Sequence, residues 1–213
     1  MIKSYEQLIY DSIKTIINQF HRKPDNFFNE HEFHQYCYHV FYRKKEFTKQ
    51  YETKDGRKTN ILHPEYPTLK RFNRSEPRVD PKGVRARYDM VILNPEFIAE
   101  NEFKKVRCRD IGKFDIPREY KSKNIIAALE FKYIIHHGDQ YLHEIEYDHL
   151  KLKNAEEVEQ KYMLVFTNTI DREIDYFKDI KRDKDIKIIY VAVFDENGKK
   201  IMRSKQIPKG WLL

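Results

Sequence analysis

Cysteine is nearly absent from this chain. Cys37 and Cys108 are the only two, too few for a disulfide framework and without a Cys-x-x-Cys spacing, so a disulfide-stapled scaffold is excluded. No apolar run approaches the ~18 residues of a membrane span. The first residues, MIKSYEQLIY, place charges where a secretory leader would have its apolar core. The expectation is a soluble, cytoplasmic protein with no membrane partner. No internal repeat and no low-complexity tract interrupts the sequence. What is abundant is charge and aromatic surface. Charged residues make up 35% of the chain and hydrophobic residues 40%, a balance that leans toward disorder, but aromatics reach 14%, too many for a solvated polymer. Lys and Arg number 41 against 34 acidic residues, a net charge of +7 that favours polyanionic partners such as nucleic acid. At 213 residues the chain fits one domain that can bury a substantial core.

Ser4 and Gln7 read as a capping box ahead of an amphipathic helix from Tyr5 to Phe20, with Leu8, Ile9, Ile13, Ile16, Ile17 and Phe20 at helical spacing. Asn29 caps a second predicted helix that runs to about Phe47. Together these form an N-terminal helical segment, residues 1–47. Asp55-Gly56 marks a turn. Asn60 to Thr68 reads as a short extended piece bounded by prolines, followed by a basic loop from Lys70 to Arg87. Arg87–Leu93 is a predicted strand. Residues 96–123 lack a clean period and read as an insertion. Asn124–Ile135 is the strongest strand, its near-continuous apolar character marking a central position covered on both faces. A long helix from Gly138 follows, with Leu142, Ile145, Leu152 and Ala155 facing inward. Then come a buried strand Lys161–Thr167, a helix from Asp171 to about Lys184 and a core strand Ile186–Phe194. Asn197-Gly198 predicts a hairpin into a return strand, Lys200–Ile207. The alternation of strands and helices in the second half implies parallel crossovers and an α/β fold.

Chemistry concentrates in two of these strands. Side chains alternate along a strand, so Glu130 and Lys132 share a face, roughly 7 Å apart. Asp89 lies near the start of the other strand, with Val91 and Leu93 on its side. Charges in core strands cost several kcal/mol per ion unless partners or a metal compensate. Oxygen ligands alone suit a hard cation such as Mg²⁺ or Mn²⁺, which polarises a phosphate and acidifies a bound water. Lys132, partly buried, is expected to have a depressed pKa and to orient or deprotonate the attacking water, or to offset transition-state charge.

Asp89 followed by Glu130-Phe131-Lys132, in the pattern Asp…Glu-x-Lys, resembles the active site of the PD-(D/E)XK nucleases. Tyr88 stands where the motif's proline would be. The resemblance implies a restriction-endonuclease-like mixed central sheet flanked by helices, over about residues 60–195. It implies Mg²⁺-dependent hydrolysis of phosphodiester bonds, leaving a 5′-phosphate, and DNA rather than RNA as substrate. Many proteins of that fold pair as homodimers. Metal would be held by Asp89, Glu130 and the Phe131 backbone carbonyl. A further acidic residue upstream is a family feature, and Glu65 is the choice here, with Glu46 and Glu32 as weaker candidates.

Other readings compete. Glu-x-Lys recurs at Glu102-Phe-Lys104, nearer Asp89 but in a polar surround. Asp148 and Lys151, three apart on the long helix, read as a helix-surface ion pair. His31, His34, Cys37 and His39 lack the spacing of the His-Glu-x-x-His zinc motif, and their helix reads as partly exposed. Arg71, Arg74, Arg78, Lys82, Arg85 and Arg87 offer phosphate contacts, against the plainer reading of a solvated loop. The alternative function is a nuclease-like fold that binds nucleic acid or a protein without cutting. A second rival is a small-molecule phosphodiesterase.

Overall fold

The computed structural model describes residues 4–107, 124–135, 139–170, 183–194 and 199. Ser4 accepts the Gln7 backbone N–H at 3.2 Å and opens α1 (Tyr5–Arg22). The Gln7 side-chain amide N–H donates to Asp11 at 3.0 Å. The six apolar residues expected along α1 are all buried. Asn29 caps α2 (Glu30–Tyr42) by accepting the Glu32 N–H at 2.9 Å. This helix stops at Tyr42, and Phe47 instead belongs to a separate short helix, α3 (Lys45–Thr48). A two-stranded ribbon, β1 (Tyr51–Glu52) and β2 (Lys58–Thr59), encloses the turn, where Gly56 takes a positive φ of 78° that suits glycine.

The rest is a mixed α/β structure around one six-stranded sheet. Its strands are β3 (Leu62–Asn73), β4 (Arg78–Val79), β5 (Val84–Leu93), β6 (Ile125–Ile134), β7 (Val158–Ile170) and β8 (Ile186–Phe194). Their order is β4-β3-β5-β6-β7-β8. The pairs β3–β5 and β5–β6 are antiparallel, and β6–β7 and β7–β8 are parallel.

The basic stretch expected to be a loop is instead the β3–β4–β5 meander, with Arg71 and Arg85 paired across it. Pro64 and Pro67 pointed to a short isolated piece, yet β3 runs through both. β4 covers β3 only at Phe72 and Asn73, so the prolines lie in a strand that is otherwise open along one side, the position in a sheet where proline is tolerated.

β6 has the burial expected of a central strand, with every residue but Ile126 buried. Its odd-numbered residues meet α1 and α2: Tyr133 stacks with Phe33 at 5.5 Å, and Phe20 and Phe33 close on Phe166 of β7 at 5.0 and 4.6 Å. Its even-numbered residues turn toward α6 (Asp139–Lys153), where Lys151 reaches Glu130. Short helices α4 (Pro95–Glu100) and α5 (Phe103–Val106) open the segment expected as an insertion. Glu102 precedes α5, so the rival Glu-x-Lys lies off the sheet. Cys108, Arg109, His136, His137, the helix expected to begin at Asp171, the Asn197-Gly198 turn and the return strand lie outside the described residues. Among the described residues no helix is long and apolar enough to cross a membrane.

Candidate active site

Asp89, Glu130 and Lys132 meet where β5 and β6 part. The ladder between these strands runs Ile92↔Ala127, Val91↔Ala128, Met90↔Leu129 and then ends. Continued by one residue, that register sets Asp89 opposite Glu130 on the same face. In place of a further main-chain bond, the Asp89 carboxylate (Oδ2) accepts the Phe131 N–H at 2.7 Å. The side chain thereby satisfies a donor that the diverging strand leaves behind.

Glu130 is fully buried. Lys151 Nζ lies 2.9 Å from its Oε1, yet neither carboxylate oxygen has a well-formed hydrogen bond. Burial drives the Glu130 pKa well above its ordinary value; Lys151 opposes this, and Asp89 and Asp148 reinforce it. Burial also raises Asp89, against the pull of His34.

Lys132 Nζ sits 2.9 Å from Asp148, 3.1 Å from Glu30 and 3.6 Å from Glu144. Burial alone would lower its pKa, as expected from sequence, but Asp148, Glu30 and Asp89 outweigh burial and hold it well above the usual lysine value. The expected depression of the Lys132 pKa is therefore corrected: the surrounding acids favour its charged form.

Asp148 and Lys151 are not a surface pair. They are 2.7 Å apart with side chains 7% and 5% exposed, and Lys151 also donates to the Arg87 carbonyl at 2.8 Å. Burial works to raise Asp148, yet Lys151 and Lys132 keep it below the ordinary carboxylate value. α2 contributes two groups not foreseen from sequence. His34 Nε2 lies 2.8 Å from the Phe131 carbonyl oxygen, which can only accept, so the imidazole donates; it is also 3.4 Å from Glu30 and 3.8 Å from Asp89. Burial works to lower the His34 pKa, but Glu30 and Asp89 raise it on balance.

The expected upstream acid sits apart from this network. Glu65 falls between the pairs Pro64↔Met90 and Tyr66↔Tyr88, across from Asp89, with a left-handed φ of 51°. Its side chain is 58% exposed and faces Arg87 at 3.8 Å. Glu32 is engaged with the Phe28 N–H at 2.9 Å at the start of α2.

A cavity of about 330 Å³ opens between the β3–β5 meander and α6, and Glu65, Arg85, Arg87, Asp89, Lys132 and Asp148 border it. Of the other basic candidates, Arg74 also borders it. Arg71 donates to the Gly83 carbonyl at 3.0 Å, Arg78 faces Glu76 at 3.4 Å, and Lys82 lies exposed in the turn before β5.

The donor chemistry suits a hard cation. Five carboxylates (Glu30, Asp89, Glu130, Glu144, Asp148) gather around two lysines and one histidine, and the most deeply buried of them has unbonded oxygens. Among the described residues, no three His, Cys, Asp or Glu side chains already stand in metal-binding array. Compared with protein-family models, curated proteins and solved structures, the chain gives no match.

Proposed function

We propose that this protein is a metal-dependent nuclease with a restriction-endonuclease-like fold, related in its site to the PD-(D/E)XK nucleases. The observation that carries the reading is the opposition of Asp89 and Glu130 at the point where β5 and β6 separate, with Asp89 and Lys132 bordering an open cavity and Glu130 buried behind them. Buried acids so placed are costly to folding and call for a counter-charge that the protein supplies only in part. Asp89 and Glu130 would hold Mg²⁺ or Mn²⁺, with the Phe131 carbonyl and water completing the oxygen shell and Glu65 reached through water. When bound, such an ion polarises a phosphate oxygen and acidifies a water.

The chain's own groups do the rest. Lys132, held protonated by Asp148 and Glu30, presents positive charge to the phosphate as negative charge builds in the transition state. Arg74, Arg85 and Arg87 line the approach and contact the backbone phosphates. The direct test incubates the protein with plasmid, single-stranded DNA and RNA, each with Mg²⁺, with Mn²⁺ and with chelator. Metal-dependent cutting is expected. Binding without cutting under every condition would favour a nuclease-like fold that only binds, and turnover of nucleotides but not polymers would favour a small-molecule phosphodiesterase.

A further inference from the structure

The lining of the cavity beside the carboxylates includes aromatic and apolar residues that the proposed chemistry does not use. These are Val84, Ala86 and Tyr147, and Arg74 and His143 also border the cavity. Tyr147 is set firmly: its ring meets the buried Phe72 edge-on at 6.0 Å. His143 donates to the Arg74 carbonyl at 2.9 Å, linking α6 to the end of the β3 strand. The aromatic wall also adjoins the charged one. Lys151 Nζ is 5.7 Å from the Tyr147 ring centre and 2.9 Å from Glu130. An aromatic and apolar surface, flanked by arginines and one side chain away from a carboxylate cluster, matches a nucleotide with its base on the ring and its phosphate among the charges.

Size separates single strands from duplex. A cavity of about 330 Å³ is at the small end of the range for pockets that enclose a single small ligand. Taken whole, charged side included, it is matched to one nucleotide with its base on Tyr147 and its phosphate among the charges, rather than to an enclosed base pair. We propose that this side of the cavity takes the base of one unpaired nucleotide, stacked on Tyr147, so that the substrate is single-stranded nucleic acid or a frayed strand end. The inference rests on the nuclease reading for the location of the scissile phosphate, but stacking itself needs no metal.

The test measures fluorescence anisotropy of the full chain in chelator at fixed salt, with labelled single-stranded DNA, single-stranded RNA and blunt duplex of matched sequence. Stacking is common to both sugars, and the two single-stranded arms tell which one the site takes. Single strands are expected to bind more tightly than duplex. Tyr147→Ala should weaken single-strand binding about ten-fold or more and leave duplex binding unchanged, while Tyr147→Phe keeps wild-type affinity. Val84 is 62% exposed, so Val84→Glu folds normally while placing a carboxylate at the cavity, and it too should weaken single-strand binding. Duplex bound as tightly as single strands, or single-strand binding unmoved by both Tyr147→Ala and Val84→Glu, would overturn the inference. A protein that binds through Tyr147 but cuts nothing with Mg²⁺ upholds the subsite and overturns the nuclease reading. One that cuts duplex with Mg²⁺ and is indifferent to Tyr147→Ala does the reverse.

Discussion

Lys132 and Glu130 stand two residues apart on one strand, and their surroundings push them to opposite extremes. Three acids crowd the Lys132 ammonium and hold its proton, whereas Glu130 lies in the dry centre of the sheet facing one lysine. On the proposed nuclease reading, replacing Lys132 by Ala removes the cation that faces the reacting phosphate. Cutting should fall by about 10²-fold or more while metal-free nucleic-acid binding stays near wild type, as read by single-turnover cleavage and anisotropy. The pH dependence of Glu130 has a definite sign. Its folded pKa lies above the unfolded value of 4.5, so the folded state holds a proton that the unfolded state has released. Its contribution to stability therefore declines as pH rises above 4.5 and levels off once the folded group ionises. Glu130→Gln is exempt from that loss. In chelator, its denaturation midpoint relative to wild type should climb with pH across this window; a gap that stays flat or narrows would contradict the assigned burial cost.

Elements show how much of the fold could be read in advance. β6, β7 and β8 were legible because a doubly covered strand leaves a plain apolar run. β3 was not, because prolines mark a break unless the strand lies at an edge, and edge position is a tertiary fact. The α6 pair was misread for a related reason: Asp148 and Lys151 at a spacing of three look alike on a solvated helix and a buried one. His34 stood out only within a histidine cluster that lacks zinc spacing, and Glu30 gave no local signal, since both reach β6 across about a hundred residues of chain. Asp89, Glu130 and Lys132 stood out because charges in otherwise apolar strands are conspicuous. The meander that carries the arginines depends on Gly83, where a Cβ would collide with the Phe72 carbonyl. Gly83→Ala should force β3 and β5 apart at their turn. It is expected to destabilise the protein by about 1–3 kcal/mol in urea denaturation and to weaken nucleic-acid binding through Arg74 and Arg85, although no acid of the site is touched.

At the scale of the whole molecule, one sheet holds two opposing surfaces. Its α1–α2 face is an aromatic core that fixes β6 in place, and its α6 face carries the charges and the open cavity. The rigid face bears the cost of the charged one. A net charge of +7, with arginines at the cavity, predicts nucleic-acid affinity that drops steeply as salt rises, measurable as the slope of log K against log salt. Crystals soaked in Mn²⁺ and measured at the manganese absorption edge test the central claim most directly. An anomalous peak is expected between strands β5 and β6, at roughly 2.0–2.5 Å from carboxylate oxygens of both Asp89 and Glu130. Manganese elsewhere, or none with Glu130 still facing Lys151 alone, would contradict it.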